Sequence, residues 1–130
     1  MRTAILAASA VLATAFSGAA AAPALAGPGC GVTVHVHNQL KSAAITVQWS
    51  KSDSRIHTIA GPGFWKKLGS GTTKVKAGKT GSKAFTLDFS CNTKHQYRIH
   101  YTHGNSSAYA HFPKNTSDWT TQTSFTVQAK

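Results

Sequence analysis

From Val32 onward the chain alternates. VTVHVHN sets Val32, Val34 and Val36 on one side of an extended strand and Thr33, His35 and His37 on the other. AITVQWS repeats the pattern, with Ile45, Val47 and Trp49 apolar and Thr46 and Gln48 polar. KAFTLDFSC opposes Phe85, Leu87 and Phe89 to Thr86 and Asp88. HQYRIHYTH opposes Tyr97, Ile99 and Tyr101 to Arg98, His100 and Thr102. SFTVQAK brings Phe125, Val127 and Ala129 to the apolar side. Weaker strands are predicted near Arg55–Ile59 and Ser107–Phe112. The phase of the second is ambiguous, because Tyr109 opposes Ala108, Ala110 and Phe112.

Turn-forming clusters such as NQLKSA, AGPG, GSG, AGKTGS and HGNSS separate these runs. Helical periodicity is nearly absent. Short strands with one apolar face each predict an all-β fold: a small antiparallel β-sandwich, Ig-like or barrel-like, of about seven strands. Two cysteines fit this frame. Cys30 is in phase with Val32 and Val34, and Cys91 with Leu87 and Phe89. Both are expected to point into one interior and to form one disulfide. Closing a loop of about 60 residues contributes roughly 4 kcal/mol in the chain-entropy model.

The first residues read differently. Arg2 precedes a largely apolar run from Ala4 to Phe16, and PALA supplies Ala24 and Ala26 for cleavage. Residues 1–26 are expected to be a secretory signal peptide and residues 27–130 a single exported domain. No second apolar run follows, so no transmembrane segment is expected and the location is extracellular, or periplasmic in a cell with two membranes. An exported location also favours pairing of the two cysteines.

Charge adds the strongest functional signal. The chain carries 14 Lys and Arg against three acidic residues. Removing Arg2 leaves 13 basic residues against Asp53, Asp88 and Asp118. Such an excess attracts anionic partners: anionic lipid, acidic polysaccharide or another polyanion, nucleic acid included. The stretch GFWKKLGSGTTKVKAGKTGSK concentrates it, with Lys66, Lys67, Lys74, Lys76, Lys79 and Lys83 and no acid. Phe64 and Trp65 at its front are the expected aromatic anchor. AGKT within it resembles the end of a nucleotide phosphate loop, but Thr73 stands where that loop needs glycine, and no helix is predicted to follow.

Seven histidines raise two alternatives. His35 and His37 share one strand face, and with His100 they would make a Zn or Cu(II) site of imidazoles. His57, His100, His103 and His111, with Arg98 and Lys94, would supply the acid, base and cation of a metal-independent ribonuclease. Three aspartates and no glutamate argue against a two-carboxylate glycosidase. No GxSxG elbow is present. The preferred reading is a secreted cationic binding protein, antimicrobial, toxin-like or effector-like, with no catalytic residues assigned. Histidine titration would add several charges below about pH 6 and so tighten its anionic contacts on mild acidification. Asn105 and Asn115 begin N-glycosylation patterns, relevant in a eukaryotic source.

Overall fold

A computed structural model describes residues 29–130, so the expected signal peptide lies outside the described residues. Nine strands occur among the described residues: β1 (Cys30–Asn38), β2 (Ile45–Thr58), β3 (Gly61–Pro62), β4 (Lys66–Lys67), β5 (Thr72–Val75), β6 (Thr80–Leu87), β7 (His95–His103), β8 (Ser106–Phe112) and β9 (Ser124–Ala129). They form two sheets. One has the order β6-β1-β9; the other runs β3-β2-β7-β8, with β4 and β5 also paired to β2. The fold is all-β, as the alternation requires.

Two differences from expectation concern topology. The strands number nine because short β3, β4 and β5 successively edge the long β2. And β1 pairs with β9 in parallel, from Thr33↔Ser124 to Asn38↔Ala129. Alternation does not exclude a parallel pair here, because the outer face of this sheet is open and keeps its polar residues.

The inward positions close one core. Val32, Val34, Val36, Ile45, Val47, Trp49 and Ile99 are all fully or almost fully buried. Aromatic contacts bridge the sheets: Trp49 meets Phe85 edge-on at 5.1 Å, and Phe125 lies against Phe112 at 4.2 Å and Tyr97 at 4.6 Å. Burial of side chains of this size contributes about 1.5–3 kcal/mol each. The Trp49 indole N–H donates to Thr73 Oγ1 at 2.8 Å, so the buried ring keeps no unmet donor. Cys30 and Cys91 are bonded, tying β1 to the turn after β6.

Buried Asn38 explains the AGKT segment. Its amide nitrogen donates to the carbonyls of Ala43 and Val75, and its Oδ1 accepts from the Leu40 N–H. Its backbone carbonyl accepts from the Gly78 N–H, and the Lys79 N–H donates to Lys76. Gly78 has a φ of 70°, which favours glycine. AGKT is therefore the turn from β5 into β6, and the Gly78 and Lys79 amides are engaged within the protein.

The feature that positions the rest is an interruption in β2. Between Gln48↔His100 and Asp53↔Arg98, β2 advances five residues while β7 advances two. Four residues of β2 thus face one of β7, an excess of three, and an odd excess inverts the side-chain phase. Before the interruption Ile45, Val47 and Trp49 point inward. After it, Ser54 and Ile56 take the inner face, and Asp53, Arg55 and His57 the outer one. Hence Arg55–Ile59 looked like a separate strand in the sequence: it continues β2 in the opposite phase.

Ser52, fully buried, holds this bulge. Its hydroxyl donates to the Gln48 carbonyl and accepts from the His100 N–H, both at 2.8 Å. Its carbonyl accepts from the Leu68 N–H at 2.8 Å. Ser52→Ala strands the buried His100 N–H, and the expected loss of unfolding free energy is about 2–3 kcal/mol. Urea unfolding measures it, and an unchanged midpoint would contradict the role given to this hydroxyl.

Candidate binding surface

The outer face of the six-stranded sheet gathers cations and aromatic rings that the sequence keeps apart. Strand pairing sets the rows, since directly opposed residues share a face. One row runs Lys67–Asp53–Arg98–His111 across β4, β2, β7 and β8. The next on one side contains Arg55 and Gln96, and on the other Gln48, His100 and Tyr109. Lys74 opposes Thr46 further along the same face.

Trp65, half-buried, organises this surface. The guanidinium carbons of Arg55 and Arg98 stand 4.3 Å and 4.4 Å from its ring centroid. Contacts of this kind contribute about 0.5–2 kcal/mol each. Arg98 also lies 5.2 Å from the Tyr109 ring, and Arg55 5.7 Å from Trp119. Each guanidinium is held by its Nε as well. Arg98 Nε donates to Asp53 Oδ2, and Arg55 Nε to Gln96 Oε1, both at 2.8 Å. Gln96 is itself fixed, its amide nitrogen donating to the Thr116 and Asp118 carbonyls. The two arginines are thus oriented by groups of the protein. Among the described residues their terminal nitrogens make no further hydrogen bond, and Asp53 is the one acid in ionic contact with them.

Histidines rim the surface. His57 meets Trp119 edge-on at 4.7 Å, and Tyr109 lies 5.1 Å from His100 and 6.4 Å from His111. Burial holds His100 below the ordinary histidine pKa, and the Lys51 charge adds to this. Desolvation lowers His111 too, followed by the charges of Arg98 and Arg55. Both imidazoles are therefore neutral at pH 7, a state suited to a base and not to an acid. Their charging on mild acidification is also displaced to lower pH.

The lysines expected to cluster are spread along one margin. Lys66 and Lys67 form β4, Lys74 lies on β5, and Lys76 and Lys79 flank the turn into β6. Lys66 lies 3.5 Å from Asp88 with both side chains largely in solvent, a pair worth little. Lys83 Nζ donates to the Ser70 carbonyl at 2.9 Å, closing that margin against the first sheet. The two expected anchors also differ. Trp65 lies within the arginine cluster, whereas Phe64 is 91 % exposed. Sequence reasoning did not pick Arg55, Tyr109 or Trp119 for this surface. The outward phase of Arg98 on β7 was the available clue to its neighbours.

The His35–His37–His100 set does not assemble. His35 and His37 occupy the outer face of the three-stranded sheet, while His100 belongs to the other sheet. His35 hydrogen-bonds to the Ser82 and Ser124 hydroxyls, and His37 to Thr80 Oγ1 at 3.0 Å. Among the described residues no three histidine, cysteine or acidic side chains stand together as a metal-ligand group. The spacing had placed His35 and His37 correctly on one face. It could not reveal that a sandwich has two outer faces.

No family model matches the chain, and no curated protein or solved structure matches it. The class defined by fold and surface is a disulfide-linked β-sandwich with an arginine–aromatic face.

A buried histidine away from this surface contributes to acid sensitivity. His95 is fully buried between Phe89 and Tyr97, at 5.0 Å and 5.2 Å between rings, and neither ring nitrogen has a partner among the described residues. Desolvation lowers its pKa. The unfolded chain therefore binds more protons once the pH falls below about 6.5, the ordinary histidine value. Stability is full above that value and declines as the pH drops through it toward the folded-state pKa. His95→Leu is expected to reduce this decline, leaving the shares of His100 and His111. Thermal unfolding at pH 7.5, 6 and 5 compares the slopes, and parallel slopes would rule the assignment out.

Proposed function

We propose that the protein is a secreted cationic binding protein that engages anionic surfaces, and that the outer face of the six-stranded sheet makes the contact. The observation that carries this reading is the Arg55–Trp65–Arg98 cluster, with both guanidinium carbons within 4.4 Å of the indole centroid. Arginine forks meet carboxylate, sulfate or phosphate groups in a bidentate way, and fixing them beforehand lowers the entropic cost of binding. Lys67 and Lys74 extend the same face, and Lys66, Lys76, Lys79 and Lys83 line its margin. The exposed ring of Tyr109 adds a surface on which a sugar or headgroup can stack.

The 13 basic residues that remain without Arg2, against three acidic ones, give a net charge of +10 that supplies long-range attraction. The partner class is anionic lipid, acidic polysaccharide or another polyanion. Such a protein suits an antimicrobial, toxin-like or adhesive role outside the cell. The Cys30–Cys91 bond supports an oxidising location.

Binding to heparin and to phosphatidylserine vesicles, followed across a sodium chloride series, tests the reading. Affinity is expected to fall steeply with salt. Arg55→Gln is expected to weaken binding about tenfold at low salt, the loss of one charge-assisted contact of about 1.5 kcal/mol. Arg55→Lys keeps the charge but loses the fork and the stacking, and is expected to fall between the two. Affinity that is independent of salt and unchanged in Arg55→Gln would refute the proposal.

A further inference from the structure

The hairpin that carries β2 into β3 holds two large apolar side chains in water. Ile59, at its turn, is fully exposed, and Phe64, just beyond β3, is 91 % exposed. Neither is there because the backbone is loose. Thr58 Oγ1 donates to the Gly61 carbonyl at 2.7 Å, and the Gly63 N–H donates to the Ile56 carbonyl at 2.8 Å. Gly61 has a φ of 116°, a conformation that favours glycine, and Pro62 stiffens the return strand. The hairpin is thus built to present Ile59 and Phe64.

The residues that follow grade from apolar to charged. Phe64 is succeeded by half-buried Trp65 and then by exposed Lys66 and Lys67. Arg55 lies against Trp65 from the neighbouring strand. No acidic residue occurs between Asp53 and Asp88. An apolar group at the tip, an indole behind it and cations behind that match the passage from hydrocarbon to headgroup to water. A soluble polyanion offers the charge but no hydrocarbon for Ile59. Asp88 meets Lys66 at 3.5 Å, but a neutral apolar partner would leave Arg55 and Lys67 without a countercharge. An anionic bilayer offers both.

We infer that the β2–β3 hairpin is a membrane-insertion element, with Ile59 and Phe64 entering the acyl region of an anionic bilayer and Trp65, Arg55, Lys66 and Lys67 contacting its headgroups. The inference rests on the anionic-surface reading above and narrows it to lipid. The insertion is shallow, because the turn exposes backbone polar groups that hydrocarbon cannot satisfy. It is driven jointly by apolar transfer and by charge, as for interfacial anchors in general.

The experiment uses the disulfide-bonded exported protein, residues 27–130, with three probes: phosphatidylcholine vesicles, phosphatidylcholine–phosphatidylserine vesicles and heparin. Co-sedimentation and heparin affinity are measured for wild type, Ile59→Ser and Phe64→Ser. Both positions are solvent-exposed, so the variants are expected to fold, and circular dichroism verifies this. Wild type is expected to bind only the vesicles containing phosphatidylserine. Measured in a Trp119→Phe background, brominated acyl chains are expected to quench Trp65 emission, with buried Trp49 as the internal constant. Each serine variant is expected to lose about tenfold or more in vesicle partition, the scale of one lost apolar side chain, while keeping wild-type heparin affinity. Vesicle binding unchanged in both variants would overturn insertion and leave the anionic-surface reading standing. Heparin binding without any vesicle binding would do the same. Self-association of the wild type that either serine variant abolishes, without vesicle binding, would assign the tip to a second copy and also overturn insertion. Binding to neither heparin nor vesicles would overturn the anionic-surface reading itself.

Discussion

The molecule depends on the hydroxyl of Ser52. It stands where β2 and β7 cannot pair, and replaces ladder hydrogen bonds with two of its own. The consequence is a matter of parity. An excess of three residues turns the odd-numbered side chains of β2 from the core to the surface. In a regular strand Arg55 would share the face of Trp49, and a guanidinium without a partner would be desolvated at large cost. With the bulge, Ile56 packs against the core and Arg55 reaches Trp65. One strand therefore serves the hydrophobic interior with its first half and the charged surface with its second. Bulges next to functional surfaces commonly re-aim side chains in this manner.

The two outer faces divide the polar chemistry. On the three-stranded sheet, His35 and His37 are joined to serine and threonine hydroxyls, forming a polar surface. On the six-stranded sheet, arginines and aromatic rings are in mutual contact, with Asp53 alone as an acidic partner within the row. Like charges this close are tolerated because Trp65 lies against both guanidinium groups and Asp53 balances one of them. An incoming anionic group would relieve the remaining repulsion. That supports a binding reading of this face over one of simple solubility.

Much of the fold was legible in the chain. β1, β7 and β9 alternate without interruption, and β6 does so from Phe85 onward, so period and phase agree there. The common phase of Cys30 and Cys91 with their neighbours made the disulfide legible too. The continuity of β2 was hidden, because a bulge breaks the period on which the reading relies. The parallel β1–β9 pair was hidden for a different reason: alternation reports which face is buried and not which strand lies alongside. The surface was legible in composition but not in geometry. Runs of lysine are visible in sequence, whereas the meeting of Arg55, Trp65, Arg98, Tyr109 and Trp119 depends on register across β2, β7 and β8 and on two connecting segments. Trp65 was recognised because it stands beside lysines, although its closest cationic partners are two arginines far away in the chain.

The parallel pairing of β1 with β9 bears on the order of folding. The first strand of the domain finds its neighbours only in β6 and β9, so the three-stranded sheet cannot be completed until residues 124–129 are available. Contacts between segments so distant in sequence form slowly, since loop closure precedes their reward. A chain emerging from its amino end would hold β1 unsatisfied for most of its synthesis. The strands of the six-stranded sheet are all present once the chain reaches Phe112, so the two layers of the sandwich become complete at different points along the chain.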